Sequence, residues 1–382
     1  MKVNTRAIAV ALAGFSAFLH LYATQSLLPL LASVFHASKV EVSFTVSATT
    51  SAVGIAAPFI GLFADVLGRK RIIVLAAFGL SIPTFLAATA SGLHALIWWR
   101  FVQGLFMPAI FAVTMAYISE ECAATGIGSM MAAYVTGNII GGVSGRFLSG
   151  LVAAHFGWHW SFVVLGCLSL VSAAAIWVWL PRSRQFVPQK NFTTSISAIK
   201  THLRNPRLLA AYAVGFNVLF SMVATFTYVN FYLAAPPFQL GTVALGAIFF
   251  VYLLGVLVTP IAGKWIDRIG YRIVLAIAIV CAATGVLLTL CPILWVVILG
   301  LAICAAAIFV CQSAANSYVG VAAGRARSSA AGLYVACYYI GGSVGALLPG
   351  FVWSFGGWTS CVMLIVAIQL LTASIALFYW RG

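Results

Sequence analysis

The sequence predicts an all-α membrane protein of twelve transmembrane helices, arranged as two pseudo-symmetric six-helix bundles around a central cavity. Three observations lead to this prediction: the composition, the number of long apolar stretches, and an internal repeat. Of the 382 residues, 63% are hydrophobic and only 7% are charged, and the mean hydropathy is +1.11. An average soluble domain carries about 25% charged residues. Lipid rather than water is therefore the expected main solvent.

Apolar stretches of about 20 residues are long enough to cross a hydrocarbon layer of about 30 Å. Six such stretches precede a polar interval and six follow it. The first six cover approximately 7–31, 42–64, 72–90, 95–118, 126–154 and 159–180, and the second six cover 207–233, 242–264, 272–290, 293–319, 328–354 and 358–380. We therefore expect an N-terminal bundle (1–180), a cytoplasmic linker (181–206) and a C-terminal bundle (207–382).

The linker is basic and rich in Ser and Thr, with Ile196, Ile199 and Leu203 at helical spacing. Two alternatives remain open for it. It forms a short amphipathic helix on the cytoplasmic membrane surface, or it is a mostly disordered connection.

The net charge of +15 comes from 20 basic and five acidic residues. Nucleic-acid binding would explain such an excess, but the basic residues are not spread as a binding patch would require. If the N-terminus is cytoplasmic, all of them except Lys39, Arg100 and Arg146 lie on the cytoplasmic side. This is the pattern of the positive-inside rule. It predicts a multi-pass protein of the cytoplasmic (inner) membrane with both termini in the cytoplasm, and it makes a nucleic-acid partner unnecessary.

The two halves repeat each other with a period near 200 residues. Pro58, Gly61, Asp65 and Gly68 recur 202 positions later as Pro260, Gly263, Asp267 and Gly270. A second set of matches, 200 positions apart, begins at Tyr134 and Tyr334 and ends at Trp158 and Trp358. An even number of spans per half returns the chain to its starting side, so the repeat is a parallel one.

The stretch from Gly61 through Asp65 and Gly68 to Arg71 resembles the signature loop of the major facilitator superfamily. Arg100-Phe-Val-Gln103-Gly104 is similar to a second motif, which is characteristic of the superfamily's proton-coupled efflux members. The glycines from Gly137 to Gly145 resemble the antiporter motif, although Gly142 replaces the proline of that motif. The resemblance covers essentially the whole chain and favours the bacterial sugar-efflux and multidrug-efflux branch.

The signature loop and its copy are interpreted as gating elements, consisting of Gly61, Asp65, Gly68 and Arg69 in the first half and Gly263, Asp267 and Gly270 in the second. The resemblance places the start of span eleven beside the first loop, where Ser328 or Ser329 caps that helix and its dipole attracts Asp65. By pseudo-symmetry Asp267 meets the start of span five, near 126–129. We also expect Glu120 or Glu121 to pair with Arg69 or Arg71. The alternative is a solvated turn that only obeys the positive-inside rule.

Arg100 and Arg146 are the two cations placed within spans, where each costs about 2.5 to 3.5 kcal/mol on insertion scales. Arg100, Gln103 and Met107 share one helix face. Arg146 has Ala346 at the matching position of the repeat, which favours a functional role. Snorkelling or bonding to backbone carbonyls is the structural alternative. Two buried arginines without buried acids favour an anionic or polar neutral substrate.

Uncharged polar residues at helical spacing form further candidate cavity faces, either as lining or as bonds between helices. They are His20 with Thr24, Asn217 with Ser221, Thr225 and Tyr228, and Gln312 with Asn316. Gln25 and Asn138 are weaker candidates. All five acids lie near span ends. His20 is therefore the candidate proton carrier in mid-membrane, because imidazole exchanges a proton near neutral pH. A satisfied structural histidine is the alternative.

These features predict a secondary transporter, not an enzyme, because no clustered acid, nucleophile or metal motif is present and no P-loop provides for ATP. The eight cysteines have no C-x-x-C spacing and are interpreted as small buried hydrophobes, with metal or redox chemistry as the alternative. We expect no cofactor, a small-molecule substrate, protons as the coupling ion, and a monomer in the lipid bilayer. Proton-coupled efflux by rocker-switch alternating access is favoured over uptake or facilitated exchange of a small polar or anionic metabolite.

Overall fold

The computed structural model describes residues 5–121, 127–183, 202–323 and 327–380, with side chains throughout these ranges except at 61–67 and 327–329. Every regular element in these ranges is helical, which confirms the predicted all-α class. The predicted linker helix falls on 196–203 and lies almost wholly outside the described residues.

The chain divides into two compact units, Met1–Gln189 with Leu240–Phe249, and Lys190–Gln239 with Phe250–Gly382. The helices of the first unit are α1 (Thr5–Leu21), α2 (Leu28–Val34), α3 (Lys39–Leu67), α4 (Arg69–Ala88), α5 (Leu93–Glu121), α6 (Ile127–Phe156), α7 (Trp158–Trp179) and α9 (Thr242–Ala247). Those of the second are α8 (Pro206–Ala234), α10 (Leu254–Ile269), α11 (Tyr271–Leu288), α12 (Leu294–Ala322) and α13 (Arg327–Tyr379).

The last helix contains a kink that separates two predicted crossings. Gly356 has φ −173° and ψ 26°, and Gly357 has φ 61° and ψ −139°, so α13 is two helices in series. Gly157, the repeat counterpart of Gly357, has φ 90° and separates α6 from α7. Positive φ is readily adopted only by glycine. Eleven helical stretches in the described ranges are long and apolar enough to span a membrane, and division of the last accounts for the twelve predicted crossings.

Two crossings that we predict as single apolar spans are interrupted. The first, Thr5–Val34, is broken by a 3₁₀ turn at Gln25–Leu27 between α1 and α2. The eighth, Thr242–Ile269, contains a 3₁₀ segment at Ile248–Leu253 between α9 and α10. Broken helices at membrane depth need partners for the freed backbone groups.

Close packing through glycine holds equivalent helix pairs together in each unit. A Cβ built on Gly141 or Gly145 of α6 would collide with the carbonyl oxygens of Phe15 and Leu19 in α1. In the second unit Gly341 and Gly345 of α13 bear the same relation to Phe216 and Phe220 of α8. Small residues at these positions allow backbones to approach as they do at transmembrane interfaces. The repeat seen in the sequence is therefore a repeat in packing.

The segment Leu240–Phe249 belongs to the first unit, although it follows the linker and lies within the sequence range expected for the C-terminal bundle. Thr242 Oγ1 donates a 2.9 Å hydrogen bond to the carbonyl of Gly150 in α6. Gly246 lies so close to α6 that an added Cβ would stand 3.0 Å from Cα of Phe147. These contacts hold α9 against α6.

Large apolar side chains are exposed along many helices, including Trp177 (61% exposed), Val178 (70%) and Trp295 (77%). A soluble protein seldom leaves so much large apolar surface in water. In a bilayer these faces contact lipid.

Candidate functional site

Arg100 lies on α5 and is fully buried. Its Nη1 donates to the carbonyl of His20 at 2.7 Å and its Nη2 to that of Leu21 at 2.9 Å. The same guanidinium donates from Nε to the carbonyl of Thr45 at 3.1 Å and from Nη1 to Oε1 of Gln103 at 2.5 Å. Because α1 ends at Leu21, its last carbonyls lose their helical partners, and the following turn supplies only Ala23 N–H to the carbonyl of His20, at 3.3 Å. Arg100 caps the broken end of α1 and joins it to α3.

Gln103, one turn further along α5, is also fully buried. Its Oε1 accepts from Arg100, and its Nε2 donates to Oγ1 of Thr84 in α4 at 3.0 Å. Both ends of the amide are thus bonded within the first unit. The expected shared face of Arg100, Gln103 and Met107 points into this bundle, since all three are fully buried.

His20 is fully buried beside the break in the first crossing. Neither its Nδ1 nor its Nε2 has a hydrogen-bond partner among the described residues. The hydroxyls of Ser16 and Thr24, one turn to either side on the chain, are buried without a described partner as well. Most buried polar side-chain atoms in folded proteins are hydrogen-bonded. This stretch of the first crossing therefore contains buried polar atoms whose hydrogen-bonding capacity no described residue uses.

Arg146 of α6 is held between two aromatic rings and is only 3% exposed. Its guanidinium carbon lies 4.7 Å from the ring centroid of Tyr22 and 4.6 Å from that of Phe249. Nε donates to Oε1 of Gln25 at 2.7 Å, and Nη1 donates to the carbonyl of Gly142 at 2.6 Å. Both rings and both acceptors belong to the first unit. Arg146 thus joins the 3₁₀ turn of the first crossing to the segment that carries α9.

Similar hydrogen bonds link the fifth and first crossings in one unit and the eleventh and seventh in the other. Ser26 Oγ donates to the carbonyl of Arg146 at 2.7 Å, and Tyr228 OH donates to the carbonyl of Ala346 at 2.8 Å. The repeat relates Arg146 to Ala346, and the equivalent packing of Phe15 and Phe216 on glycines relates Ser26 to Thr227, the neighbour of Tyr228. Tyr228 is fully buried, and its ring lies 6.2 Å from that of Trp353. Its hydroxyl has an interhelical hydrogen bond in this structure.

Asn217 and Ser221 of α8 line a small internal cavity of the second unit, together with Gln369 of α13. Ser221 Oγ donates to Oδ1 of Asn217 at 2.9 Å. The sequence identifies the two α8 residues by their spacing. It does not identify Gln369, which lies in a largely apolar stretch with only Thr372 one turn further on.

Gln312 and Asn316 lie one turn apart on α12 and differ in exposure. Gln312 is half-buried, and its Nε2 donates to the hydroxyl of Tyr338 at 3.2 Å, whereas Asn316 is exposed. The hydroxyl of Tyr334, one turn before Tyr338, is buried without a described partner. An amide and two phenols therefore lie together in the second unit. The two tyrosines are not among the polar residues selected from the sequence, although their i, i+4 spacing could have placed them on one face of the helix.

The signature loop and its copy have matching backbones. Gly68 has φ 85° between α3 and α4, and Gly270 has φ 81° between α10 and α11. Arg69, next to Gly68, donates to Glu120 through Nε at 3.0 Å and through Nη2 at 2.8 Å. This is one of the pairings expected from the sequence.

The remaining gating residues are only partly described. Gly263 has open space around its Cα, and Asp267 is exposed. The side chain of Asp65 lies outside the described residues, as do those of Ser328 and Ser329, its expected partners. The expected contact of Asp267 includes Gly126, which also lies outside them.

Cysteines and histidines form no metal-binding group of three among the described residues. Cys304 and Cys361 are fully buried, and Cys167 and Cys281 are exposed on their helices.

The profile of the Major Facilitator Superfamily matches residues 10–324 and 232–382. The chain is 33% identical to the uncharacterized MFS-type transporter YybF of Bacillus subtilis, over 94% of this chain and 90% of the relative. It is 32% identical to the inner membrane transport protein YnfM of Escherichia coli, over 94% of this chain and 88% of the relative. Among solved structures, the nucleoside transporter NupG (D323A mutant) superposes with a TM-score of 0.80 at 15% identity, over 98% of this chain and 100% of NupG.

The chain belongs to the Major Facilitator Superfamily, and it is a membrane transporter rather than an enzyme. Membrane-spanning helices and inner-membrane relatives make it a multi-pass inner-membrane protein that takes a small-molecule substrate.

Proposed function

We propose that this transporter exports a small polar molecule, such as a drug, a sugar or a metabolite, in exchange for protons that enter the cell. The observation that carries the proposal is the unbonded imidazole of His20, fully buried in the middle of the Thr5–Val34 span. The acids and the other histidines lie near helix ends, in loops or in the linker region. Imidazole is also the side chain that changes charge near physiological pH.

Coupling requires that the proton carrier respond to the state of the transporter. The carbonyl of His20 accepts the hydrogen bond from Arg100, which also holds α3 and α5 to the broken end of α1. A change in the charge of the imidazole therefore acts directly on the joint where three helices meet. Resemblance of the fourth and fifth crossings to proton-coupled efflux members supports the direction of transport.

The substrate class is inferred from the partners of the two buried arginines. Arg100 makes four hydrogen bonds inside the first unit, and Arg146 donates to Gln25 and to the carbonyl of Gly142 and lies between two rings. Both are engaged by protein groups, which weakens the argument for an anionic substrate. Gln312, Tyr334 and Tyr338 offer neutral donors and acceptors in the second unit. A polar, uncharged substrate suits such groups.

We also propose a monomer with both termini in the cytoplasm. The distribution of Lys and Arg supports this orientation. The six-plus-six repeat provides the symmetry for rocker-switch alternating access within one chain.

Accumulation of a labelled panel of drugs, sugars and metabolites in intact cells tests the direction and the energy source together. Cells that express the wild type should accumulate several-fold less of at least one compound than cells without it, and a protonophore should abolish the difference. His20→Asn should also abolish it, whereas His155→Asn, at an exposed imidazole near the end of α6, should not. Higher accumulation in expressing cells would favour uptake instead, and export that persists with the protonophore would contradict proton coupling.

A further inference from the structure

The second unit contains an internal cavity enclosed by α8, α11, α12 and the second part of α13. The cavity has room for about one water molecule. Three polar side chains, Asn217, Ser221 and Gln369, line it among apolar ones such as Ile279 and Ile308. A cavity lined only by apolar groups stays dry, whereas a polar one of this size holds water.

Gln369 is the side chain that requires a ligand here. It is 1% exposed, and neither Nε2 nor Oε1 has a hydrogen-bond partner among the described residues. A buried amide that is unbonded at both ends is rare in native proteins. Because Gln369 lines the cavity, a molecule in the cavity is within reach of its amide.

Asn217 supplies complementary groups on the other side. It is 3% exposed, and its Oδ1 accepts the hydrogen bond of Ser221 Oγ at 2.9 Å. No described residue accepts a hydrogen bond from its Nδ2. The cavity thus offers amide N–H donors from α8 and α13 and a carbonyl acceptor from Gln369.

We propose that this cavity binds a water molecule, which accepts from the amide nitrogens of Asn217 and Gln369 and donates to Oε1 of Gln369. A metal cation is disfavoured because no carboxylate lines the cavity, and neutral oxygens alone compensate poorly for its lost hydration. The water bridges α8 to the last crossing. Asn217 is then part of the interior of the second unit, and its effect on transport is indirect.

Thermal unfolding of the purified protein distinguishes a hydrated cavity from a dry one. If the cavity holds a water molecule, Gln369→Met removes the hydrogen-bond partners that Gln369 gives to that water. The side-chain volume stays nearly constant, and the melting temperature should fall by several degrees. With a dry cavity, the same change removes two unbonded polar atoms, so an unchanged or raised melting temperature would overturn the proposal. Gln239→Met, at an exposed position after α8, is the matched control and should leave the melting temperature unchanged.

Hydroxyl-radical labelling by X-ray radiolysis reports the water itself, because radicals formed from a trapped water oxidise the side chain beside it. Cys311 lines the cavity and is 4% exposed, whereas Cys304 on the same helix is 0% exposed and does not line it. We expect Cys311 to be oxidised several-fold faster than Cys304 in the wild type and at the same rate as Cys304 in Gln369→Met. Equally slow oxidation of Cys311 and Cys304 in the wild type would contradict the proposal. A melting temperature that rises in sodium chloride but not in choline chloride would also contradict it, because it would indicate a bound sodium ion instead of water.

Discussion

Nε of Arg146 donates a 2.7 Å hydrogen bond to Oε1 of Gln25, which joins α6 to the 3₁₀ turn that interrupts the first crossing. The guanidinium also lies between the rings of Tyr22 and Phe249. Residue 146 has alanine at its repeat position in the second half, so this junction exists only in the first unit. It brings together side chains that are more than 220 positions apart in the sequence.

Removal of Arg146 should weaken this junction. Arg146→Met loses two charge-assisted hydrogen bonds and two cation–π contacts, so we expect the free energy of unfolding to fall by roughly 2 to 4 kcal/mol. Arg146→Lys should recover only part of the loss, because an ammonium cannot reproduce the planar fork. Arg272→Met, at an exposed position at the start of α11, is the control. Equal melting temperatures for the variants at 146 and 272 would show that the junction contributes nothing.

Arg100 should matter more for folding than for substrate affinity. Arg100→Ala removes one donor from the carbonyls of His20 and Thr45 and the described donor of Leu21, and it frees Gln103 Oε1, so we expect a loss of roughly 3 to 5 kcal/mol of stability. Gln103→Leu removes a neighbouring group and should cost less, about 1 to 3 kcal/mol. Denaturation of the purified variants in detergent measures both. Full stability of Arg100→Ala with a loss confined to substrate binding would contradict the capping role.

Glycine packing between α1 and α6 gives a matched pair of substitutions on one helix. Gly145→Ala places a methyl group against the carbonyl of Leu19, so the helices must separate, at about 1 to 3 kcal/mol. Gly128→Ala has nothing within 4 Å of its added Cβ and should be neutral or slightly stabilising. Thermal melts of the two variants should therefore differ in sign or by several degrees. Similar destabilisation by both would mean that helix propensity, not packing, controls the result.

The ion pair between Arg69 and Glu120 should be modest because their side chains are 11% and 31% exposed. We expect a coupling free energy of about 0.5 to 1 kcal/mol in a double-mutant cycle with Arg69→Ala and Glu120→Ala. High salt should reduce it. A coupling energy of zero at low salt would mean that the two short hydrogen bonds add no stability.

Much of the fold could be predicted from the sequence because it depends on local and periodic signals. Apolar length locates the crossings, and the 200-residue repeat pairs them. The break at Gln25–Leu27 has one local signal, Pro29, whose nitrogen cannot donate to the carbonyl of Gln25. The segment Ile248–Leu253 contains neither proline nor glycine, so its 3₁₀ conformation could not be predicted this way. Tertiary contacts complete the first break, since the carbonyl of Leu21 bonds to Arg100.

The candidate site was only partly predictable for the same reason. Helical spacing places Asn217 with Ser221, but it does not distinguish an internal cavity from a substrate path. Arg146 could be recognised as an unusual buried cation, whereas its partner Phe249 lies in a segment expected for the other bundle. Gln369 shows no sequence signal, because a lone amide in an apolar helix resembles an ordinary interhelical contact.

The most direct test of the proposed mechanism is substrate-dependent proton movement in liposomes that contain the purified protein and a pH-sensitive dye. On addition of a transported compound, the wild type should move protons against the flow of substrate. His20→Asn should lose this signal while it keeps the melting temperature of the wild type, and His155→Asn should retain it. Substrate movement without any proton flux, or undiminished flux in His20→Asn, would contradict the assignment of His20 as the proton carrier.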